Sequence, residues 1–292
     1  MLGKNLLFVI NPIAGGRNKE IITSEIKGCC REVQLFPHVY ETTGKNDHQE
    51  ILKQIEELRP DAVIAVGGDG TVNLVGNVLV GTDIPLGIIP AGSANGLAKD
   101  LNIPLDFDEA IDVITSYNPR AIDTLIVNGR NCFHLSDFGF NARVVKRFSE
   151  SIRRGKLSYL WYGLLEFFTY HFFEYRIVAP NQEYAGRAFM MIITNANKFG
   201  TNIAINPLGT IDDGTFEISI IKPFPKILAP YILYHLLRNS ITTTKYYRVF
   251  RCKQVTILNK HRESFHIDGE PIDLGTTIHV KINPGGLKVL LP

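Results

Sequence analysis

Several things are scarce in this sequence, and each scarcity removes a class of explanation. There are 4 cysteines in 292 residues, Cys29, Cys30, Cys132 and Cys252, and their spacing matches no metal-ligand pattern. That excludes a disulfide framework or a cysteine zinc site, and the thiols read as reduced groups of a cytosolic protein. Neither sign of charge dominates: 31 Lys and Arg against 29 Asp and Glu leave a formal net charge of +2. A chain so balanced is not a nucleic-acid binder by electrostatics. No uninterrupted apolar run is long enough to cross a bilayer. The best stretch, Leu157 to Tyr175, is broken by Glu166, His171 and Glu174, so membrane contact is expected to be peripheral. The apolar run Asn5 to Ile10 is too short for a signal peptide and reads as a buried first strand. There is no Pro/Gly/Ser-rich linker, no internal repeat and no low-complexity tract. What remains is 45% hydrophobic residues, enough for one large domain or two ordinary ones.

Two common nucleotide signatures are also missing. Gly87 to Gly92 has the span of a P-loop, but Ser93 follows where that motif needs Lys. Gly68-x-Gly70 begins a dinucleotide fingerprint, but Asn73 stands where the third glycine belongs. What is present is Val66-Gly67-Gly68-Asp69-Gly70-Thr71, preceded by the apolar run Ala62 to Ala65 and followed by Val72, Val75, Val78 and Leu79 at helical spacing. This predicts strand, glycine turn, helix. The glycines are expected to reach φ > 0 and to let a ligand approach the backbone. The turn amides and the helix N-terminus make a seat for phosphate. A carboxylate in that seat repels phosphate unless a cation stands between them, so Asp69 points to Mg²⁺ and a nucleotide.

The first ~120 residues alternate strand and helix signals, the pattern of a parallel α/β sheet. Leu6–Ile10 leads into Asn11-Pro12-Ile13-Ala14-Gly15-Gly16 and then a helix; Asp47 to Leu58 is predicted helical with Asp47 as N-cap; Pro85 to Pro90 is a strand ending in Ala91-Gly92-Ser93-Ala94-Asn95-Gly96. Parallel strands put their C-terminal ends on one edge, where ligands of such sheets bind, so the three glycine-bearing loops form one candidate site. The rhythm changes near Asp123. Leu125 to Val127, Asn128-Gly129 and Asn131 to Leu135 predict a type I′ hairpin. Met190 to Thr194, then Phe216, Ile218 and Ile220, Val255 to Leu258, and Ile278, Val280 and Ile282 continue a mainly antiparallel β half. Helical insertions are expected around Tyr159–Tyr170 and Ile227–Leu237. The division is placed at residues 1–123 and 124–292, with the last strand able to return to the first domain.

Five elements in register resemble the diacylglycerol kinase catalytic-domain family, which includes sphingosine and ceramide kinases and bacterial lipid kinases. They are Asn11-Pro12-x-x-Gly15, Thr42, Gly67 to Thr71 with Val72 and Asn73, Pro90-x-Gly92-Ser93-x-Asn95, and Asp268-Gly269-Glu270. The resemblance implies an α/β nucleotide domain followed by a β-rich domain, as in NAD kinases, with ATP and Mg²⁺ used to phosphorylate a lipid hydroxyl. It implies ATP contacts at Asn11, Pro12, Ile13, Ala14, Gly15, Thr42, Gly67, Gly68, Asp69, Gly70, Thr71, Val72, Asn73 and Ser93. Glu270 matches the family's base, and either Glu270 or Asp69 is expected to take the hydroxyl proton. A structural Mg²⁺ is implied at Thr210, Asp213 and Thr215. One departure is Gly96, where many bacterial members carry Asp; Asp123 matches a second acidic position of the same network.

The resemblance further implies a lipid substrate at a membrane surface, diacylglycerol or a sphingoid-type lipid, and a cytoplasmic chain peripheral at the inner membrane face. A homodimer is compatible with the sequence, and no nucleic-acid partner is expected. The basic run Arg143, Lys146, Arg147, Arg153, Arg154 and Lys156 beside Tyr159, Trp161, Tyr162, Phe167, Phe168, Tyr170, Phe172 and Phe173 reads as a surface for anionic lipid or as core packing. Two other functions stay open: a small-molecule kinase of the NAD type, and a catalytically weak lipid or nucleotide sensor.

Overall fold

The computed structural model describes residues 3–13, 19–151, 156–180, 182–196, 198–199, 201–206 and 209–292. Ala14, Gly15, Gly16, Arg153 and Arg154 lie outside the described residues. The chain divides into two compact units, Met1–Ile122 with Gly285–Pro292, and Asp123–Pro284.

The first unit alternates β1 (Asn5–Ile10), α1 (Lys19–Glu32), β2 (Phe36–Glu41), α2 (Asp47–Leu58), β3 (Ala62–Gly67), α3 (Asp69–Leu79), β4 (Leu86–Pro90), α4 (Gly96–Asp100) and α5 (Phe107–Ser116). Its strands are parallel in the order β2-β1-β3-β4. Strands β3 and β4 are buried throughout, and β1 from Leu6 onward. Helices on both faces cover such strands, which explains why they read as unbroken apolar runs rather than alternating ones. Helix α3 buries Val72, Val75, Val78 and Leu79 on one stripe. Helix α5 starts at Asp106, whose carboxylate accepts the Asp108 and Glu109 N–H groups, a conventional N-cap.

The second unit begins within β5 (Pro119–Val127), which hairpins into β6 (Arg130–Cys132). Asn128 and Gly129 both have positive φ, 45° and 81°, the expected type I′ turn. There follow β7 (Leu135–Gly139), α6 (Phe140–Glu150), α7 (Lys156–Thr169), β8 (Phe173–Ala179), β9 (Gln182–Ala188), β10 (Met190–Thr194), a short ribbon of β11 (Lys198–Phe199) and β12 (Thr201–Ala204), β13 (Phe216–Ile221), α8 (Ala229–Leu237), β14 (Tyr247–Cys252), β15 (Gln254–Leu258), β16 (Phe265–Ile267), β17 (Glu270–Ile272) and β18 (Thr277–Leu290). One antiparallel layer runs β14-β13-β10-β7-β16-β17. The other is made by β6, β5, the first part of β18, β15, β8 and β9. Their inner faces share one core that includes Phe138, Ile193, Phe216 and Ile218 from the first layer and Ile177, Ile257, Ile278 and Val280 from the second. The end of β18 belongs to the first unit, where Val289 pairs in parallel with Leu86.

The aromatic segment divides between inside and outside. Tyr170, just past α7, and Phe173, at the start of β8, are buried, whereas Leu160, Trp161, Leu164 and Phe168 on α7 are exposed. Two cations of the basic run, Arg143 and Arg147, have a partner within the unit. Glu166 on α7 is buried, 2% exposed, and pairs with Arg143 Nε at 3.1 Å and with Arg147. A buried carboxylate needs such partners, so these two cations on α6 are spent on fastening α7.

Asp47, expected as an N-cap, is the first residue of α2, and the N-cap position belongs to Asn46, which makes no side-chain cap bond. The Asp47 carboxylate faces the preceding loop instead. It accepts the Thr43 and Gly44 N–H groups, both at 2.8 Å, and the Tyr40 hydroxyl at 2.7 Å. These nearby donors take the oxygens that a cap would turn toward the helix, and they shape the loop just after Thr42. Burial pushes the Asp47 carboxyl up, but the Thr43 N–H, the Tyr40 hydroxyl and the Gly44 N–H outweigh it, and the net direction is down. A carboxyl lowered on folding adds stability above its unfolded value, about 3.9, and that stability is lost as pH falls through the lower folded value. Asp47→Asn is therefore expected to be less stable at neutral pH and to show a flatter loss of stability from about pH 4 downward. Urea denaturation of both chains across that range measures it; parallel profiles would contradict the assignment.

Candidate active-site loops

In the first unit, the loops after β1, β2, β3 and β4 leave one edge of the parallel sheet. Ladder bonds continue past the strand ends and set their spacing: Asn11 N–H donates to Val66 O (3.0 Å), Thr42 N–H to Ile10 O (2.9 Å) and Ala91 N–H to Gly67 O (2.8 Å). The Asn11 side chain accepts the Ile13 N–H at 3.2 Å, an Asx turn that starts the first loop.

Asp69 is the first residue of α3, half-buried at the helix N-terminus. Its Oδ1 accepts the Gly96 N–H at 2.6 Å, and Oδ2 has no hydrogen-bond partner among the described residues. The residue that departs from the family pattern thus contributes its backbone N–H. Asn95, at φ 53°, holds the same loop closed, accepting the Gly92 N–H and donating to Gly92 O, both at 2.9 Å. Asn95 was legible as a motif residue, but its clamping role was not, because an Asx clamp depends on a left-handed backbone that a sequence does not display.

The glycines of the turn are not there for positive φ. Gly68 has φ −92°, and neither Gly67 nor Gly70 is among the left-handed residues. Two of the three are explained by close packing. A methyl group at Gly67 would sit 2.2 Å from Thr71 Oγ1, and one at Gly68 would sit 3.1 Å from Gly92 Cα in the facing loop; the reverse approach is tighter, since a methyl at Gly92 would sit 2.4 Å from Gly68 Cα. Gly70 is different: it is exposed, and a methyl there would meet nothing within 4 Å. Among the remaining expected contacts, Thr71 and Val72 are buried beneath the turn, and Asn73 Oδ1 accepts the Asn77 amide at 2.6 Å. Pro12 is half-buried, and Ile13 and Ser93 are exposed.

In the second unit, Asp268 and Gly269 have φ 49° and 86°, the two-residue I′ turn between β16 and β17. Asp268 is an anchor. Its carboxylate accepts three successive N–H groups, Phe133 at 2.8 Å, His134 at 2.9 Å and Leu135 at 3.1 Å. Hydrogen bonds to an ionised group contribute about 1.5–3 kcal/mol each, so the turn is rigidly seated. Glu270, the next residue, opens β17 and is exposed.

The loop of Thr210, Asp213 and Thr215 lies in the same unit. Asp213 Oδ1 accepts the Thr215 N–H (3.0 Å) and hydroxyl (2.6 Å), and Arg251 stands 3.6 Å from Oδ2. Asp123 Oδ2 accepts the Gly214 N–H at 2.6 Å. Among the described residues no group of three or more His, Cys, Asp or Glu is arranged to hold a metal ion. Sequence reasoning also passed over a buried cluster next to the Asp268 turn, His266 with Asp137, 2.9 Å apart; a lone histidine and a lone aspartate 129 positions apart carry no local signal.

Residues 5–127 match the family described as the diacylglycerol kinase catalytic domain, and residues 136–291 match the YegS C-terminal NAD kinase beta sandwich-like domain. The "Probable lipid kinase YegS" of Shigella boydii serotype 18 is 30% identical over 272 residues, 90% of this chain and 88% of the relative. The protein of the same name from Escherichia coli O1:K1 / APEC matches to the same extent. The crystal structure of a diacylglycerol kinase from Bacillus anthracis str. Sterne superposes with a TM-score of 0.75 at 18% identity, covering 99% of this chain and 97% of that one. Another structure from that strain reaches 0.82 at 21% identity with the same coverage. At such identities the superpositions establish a shared fold.

The packing argument separates the glycines experimentally. Gly92→Ala is expected to cost about 1–3 kcal/mol through overpacking, and Gly70→Ala to be neutral or to stabilise by up to about 1 kcal/mol as a helical residue. Chemical denaturation of both variants checks this, and equal destabilisation would contradict it.

Proposed function

The chain belongs to the diacylglycerol kinase catalytic-domain family of lipid kinases, and from that membership and the geometry of its loops we propose that it transfers the γ-phosphate of ATP, with Mg²⁺, to the hydroxyl of a diacylglycerol or sphingoid-type lipid. The observation that carries the nucleotide reading is the Asp69 carboxylate. One oxygen is fixed by Gly96 N–H at 2.6 Å, and the other is left at the N-terminus of an 11-residue helix on the strand-end edge. A single fixed carboxylate oxygen beside phosphate-binding amides fits a hard cation that also takes phosphate oxygens. Bound there, Mg²⁺ would neutralise phosphate charge. Gly70 supports the same reading. Neither its φ nor its packing asks for glycine, which leaves close approach of a ligand to the backbone as the physical reason.

In the proposed reaction the lipid oxygen bonds to the γ-phosphorus while the bond from that phosphorus to the β–γ bridging oxygen breaks. The hydroxyl proton passes to a carboxylate, Glu270 or Asp69, and ADP leaves. Exposure of Glu270 on a turn seated by Asp268 favours Glu270, since a base must be both reachable and fixed. The implied structural cation at Thr210, Asp213 and Thr215 would have to exchange with Arg251, which already faces the Asp213 carboxylate.

No helix among the described residues is long and apolar enough to cross a membrane. We propose that the lipid is met at a bilayer surface through α7 and α8. Leu160 is 70% exposed, Phe168 66% and Ile227, just before α8, 86%. Lys226 Nζ donates to Phe168 O at 2.6 Å and joins the two segments. From Lys222 to Tyr246 there is no acidic residue, while Lys222, Lys226, Arg238 and Lys245 are cations. Apolar side chains rimmed by cations suit an anionic lipid surface.

With γ-labelled ATP, label is expected in the lipid fraction of a total extract and not in NAD. Asp69→Asn and Glu270→Gln are each expected to lower turnover at least ~10²-fold with folding retained; full activity in both would remove the scheme. For docking, sedimentation with phosphatidylglycerol-containing vesicles is expected to weaken at high salt and in a Trp161→Ser, Phe168→Ser double variant. Absence of binding at any salt would remove the docking surface.

A further inference from the structure

We infer that His266, held by Asp137, is a positioning residue for the turn that carries Glu270. The inference rests on the kinase reading only for what Glu270 does; the contact itself stands on geometry. His266 and Asp137 are both buried, on neighbouring strands β16 and β7, with Nε2 and Oδ2 2.9 Å apart. The Gly269 N–H donates to His266 Nδ1 at 3.2 Å. A ring nitrogen that accepts a backbone N–H carries no proton, so the ring proton is on Nε2 and donates to Asp137. The imidazole is thereby fixed in one tautomer between a carboxylate behind it and the amide of the residue before Glu270. Asp268 ties the other side of the same turn to residues 133–135. The turn is clamped from both sides, and the residue that follows has little freedom.

The clamp extends to α7. Asn141 Nδ2 donates to Asp137 Oδ2 at 2.5 Å, and the Tyr159 hydroxyl donates to Asn141 Oδ1 at 2.5 Å. The Asp137 carboxylate assigns the amide orientation: it only accepts, so the NH₂ faces it and the amide oxygen is left to accept from the Tyr159 hydroxyl. Burial, with the Asp137 charge, pushes the Tyr159 hydroxyl well up, so it stays a donor. Asp137 Oδ1 is buried with no hydrogen-bond partner among the described residues. A buried carboxylate that is only partly satisfied is expensive to keep. An apolar pair would fill these positions at lower cost if packing were their whole purpose; orienting an imidazole against one amide needs the charge.

The test compares three variants of the full chain. His266→Leu removes the acceptor for Gly269. His266→Asn keeps an acceptor near the Nδ1 position. Tyr159→Phe keeps the ring and deletes only the hydroxyl that bonds Asn141 Oδ1. Hydrogen exchange at the Gly269 amide is read alongside steady-state kinetics and thermal unfolding. His266→Leu is expected to lose ~10²-fold in kcat with the KM for ATP within about twofold, and its Gly269 exchange to rise about 10-fold. His266→Asn is expected to recover most of both. Tyr159→Phe is expected to lose roughly threefold to tenfold in kcat. A purely structural role predicts instead that activity follows the melting temperature and that Asn rescues no better than Leu; that result overturns the inference, as does unchanged kcat in both His266→Leu and Tyr159→Phe. If the wild type phosphorylates no lipid, the kinase reading fails, and the exchange measurement alone then decides whether His266 holds the turn.

Discussion

The hydrogen bond from Gly96 N–H to Asp69 Oδ1, 2.6 Å long, is the constraint on which the candidate site of the first unit depends. It joins two loops that leave different strands, and it fixes one oxygen of the only acidic residue in the first turn of α3. The close contact of Gly68 and Gly92 makes that bond possible, because side chains at either position would hold the loops apart. The donor is a backbone amide, and glycine at position 96 brings no side-chain charge of its own beside Asp69. The consequence is electrostatic: the loop presents Asp69 with a partial positive charge from an amide rather than with a competing carboxylate.

The same device recurs across both units. Asp47 gathers the amides of Thr43 and Gly44, Asp106 those of Asp108 and Glu109, Asp123 that of Gly214, and Asp268 those of Phe133, His134 and Leu135. Loops have few apolar contacts with which to hold a shape. A carboxylate accepting several N–H groups supplies direction as well as energy, and it satisfies donors that secondary structure leaves unpaired. These carboxylates are therefore spent on the chain's own loops, as Arg143 and Arg147 are on Glu166.

How far this was legible depends on whether a feature is local. The α/β rhythm of the first unit is written in the unbroken apolar runs of β1, β3 and β4 and in the Val72, Val75, Val78 stripe, because parallel strands and amphipathic helices have periods that a window of residues displays. The hairpin at Asn128-Gly129 was equally plain, since few other residue pairs accept two left-handed positions. The convergence of the Asn11, Asp69 and Ser93 loops on one edge followed from the strands being parallel, whereas Thr42 entered only through the family resemblance. What the sequence hid is non-local or conformational. Helical spacing cannot say that Asp47 faces its loop rather than its helix, that Gly67 and Gly68 serve close packing rather than φ, or that two members of a basic run share a glutamate on the next helix. The His266–Asp137 pair is the extreme case, two residues made neighbours only by strand pairing.

Strand β18 makes the first unit discontinuous along the chain. Leu290 lies in the core of that unit, and Val289 completes its sheet beside Leu86, yet more than half of the polypeptide separates them. The β-rich unit is made from one uninterrupted stretch and has all its strands, apart from the last few residues of β18, before residue 285. Along the chain, the strand-end edge that carries the Asp69 loop thus precedes the β-rich unit, yet its sheet receives its last strand only after that unit has been made.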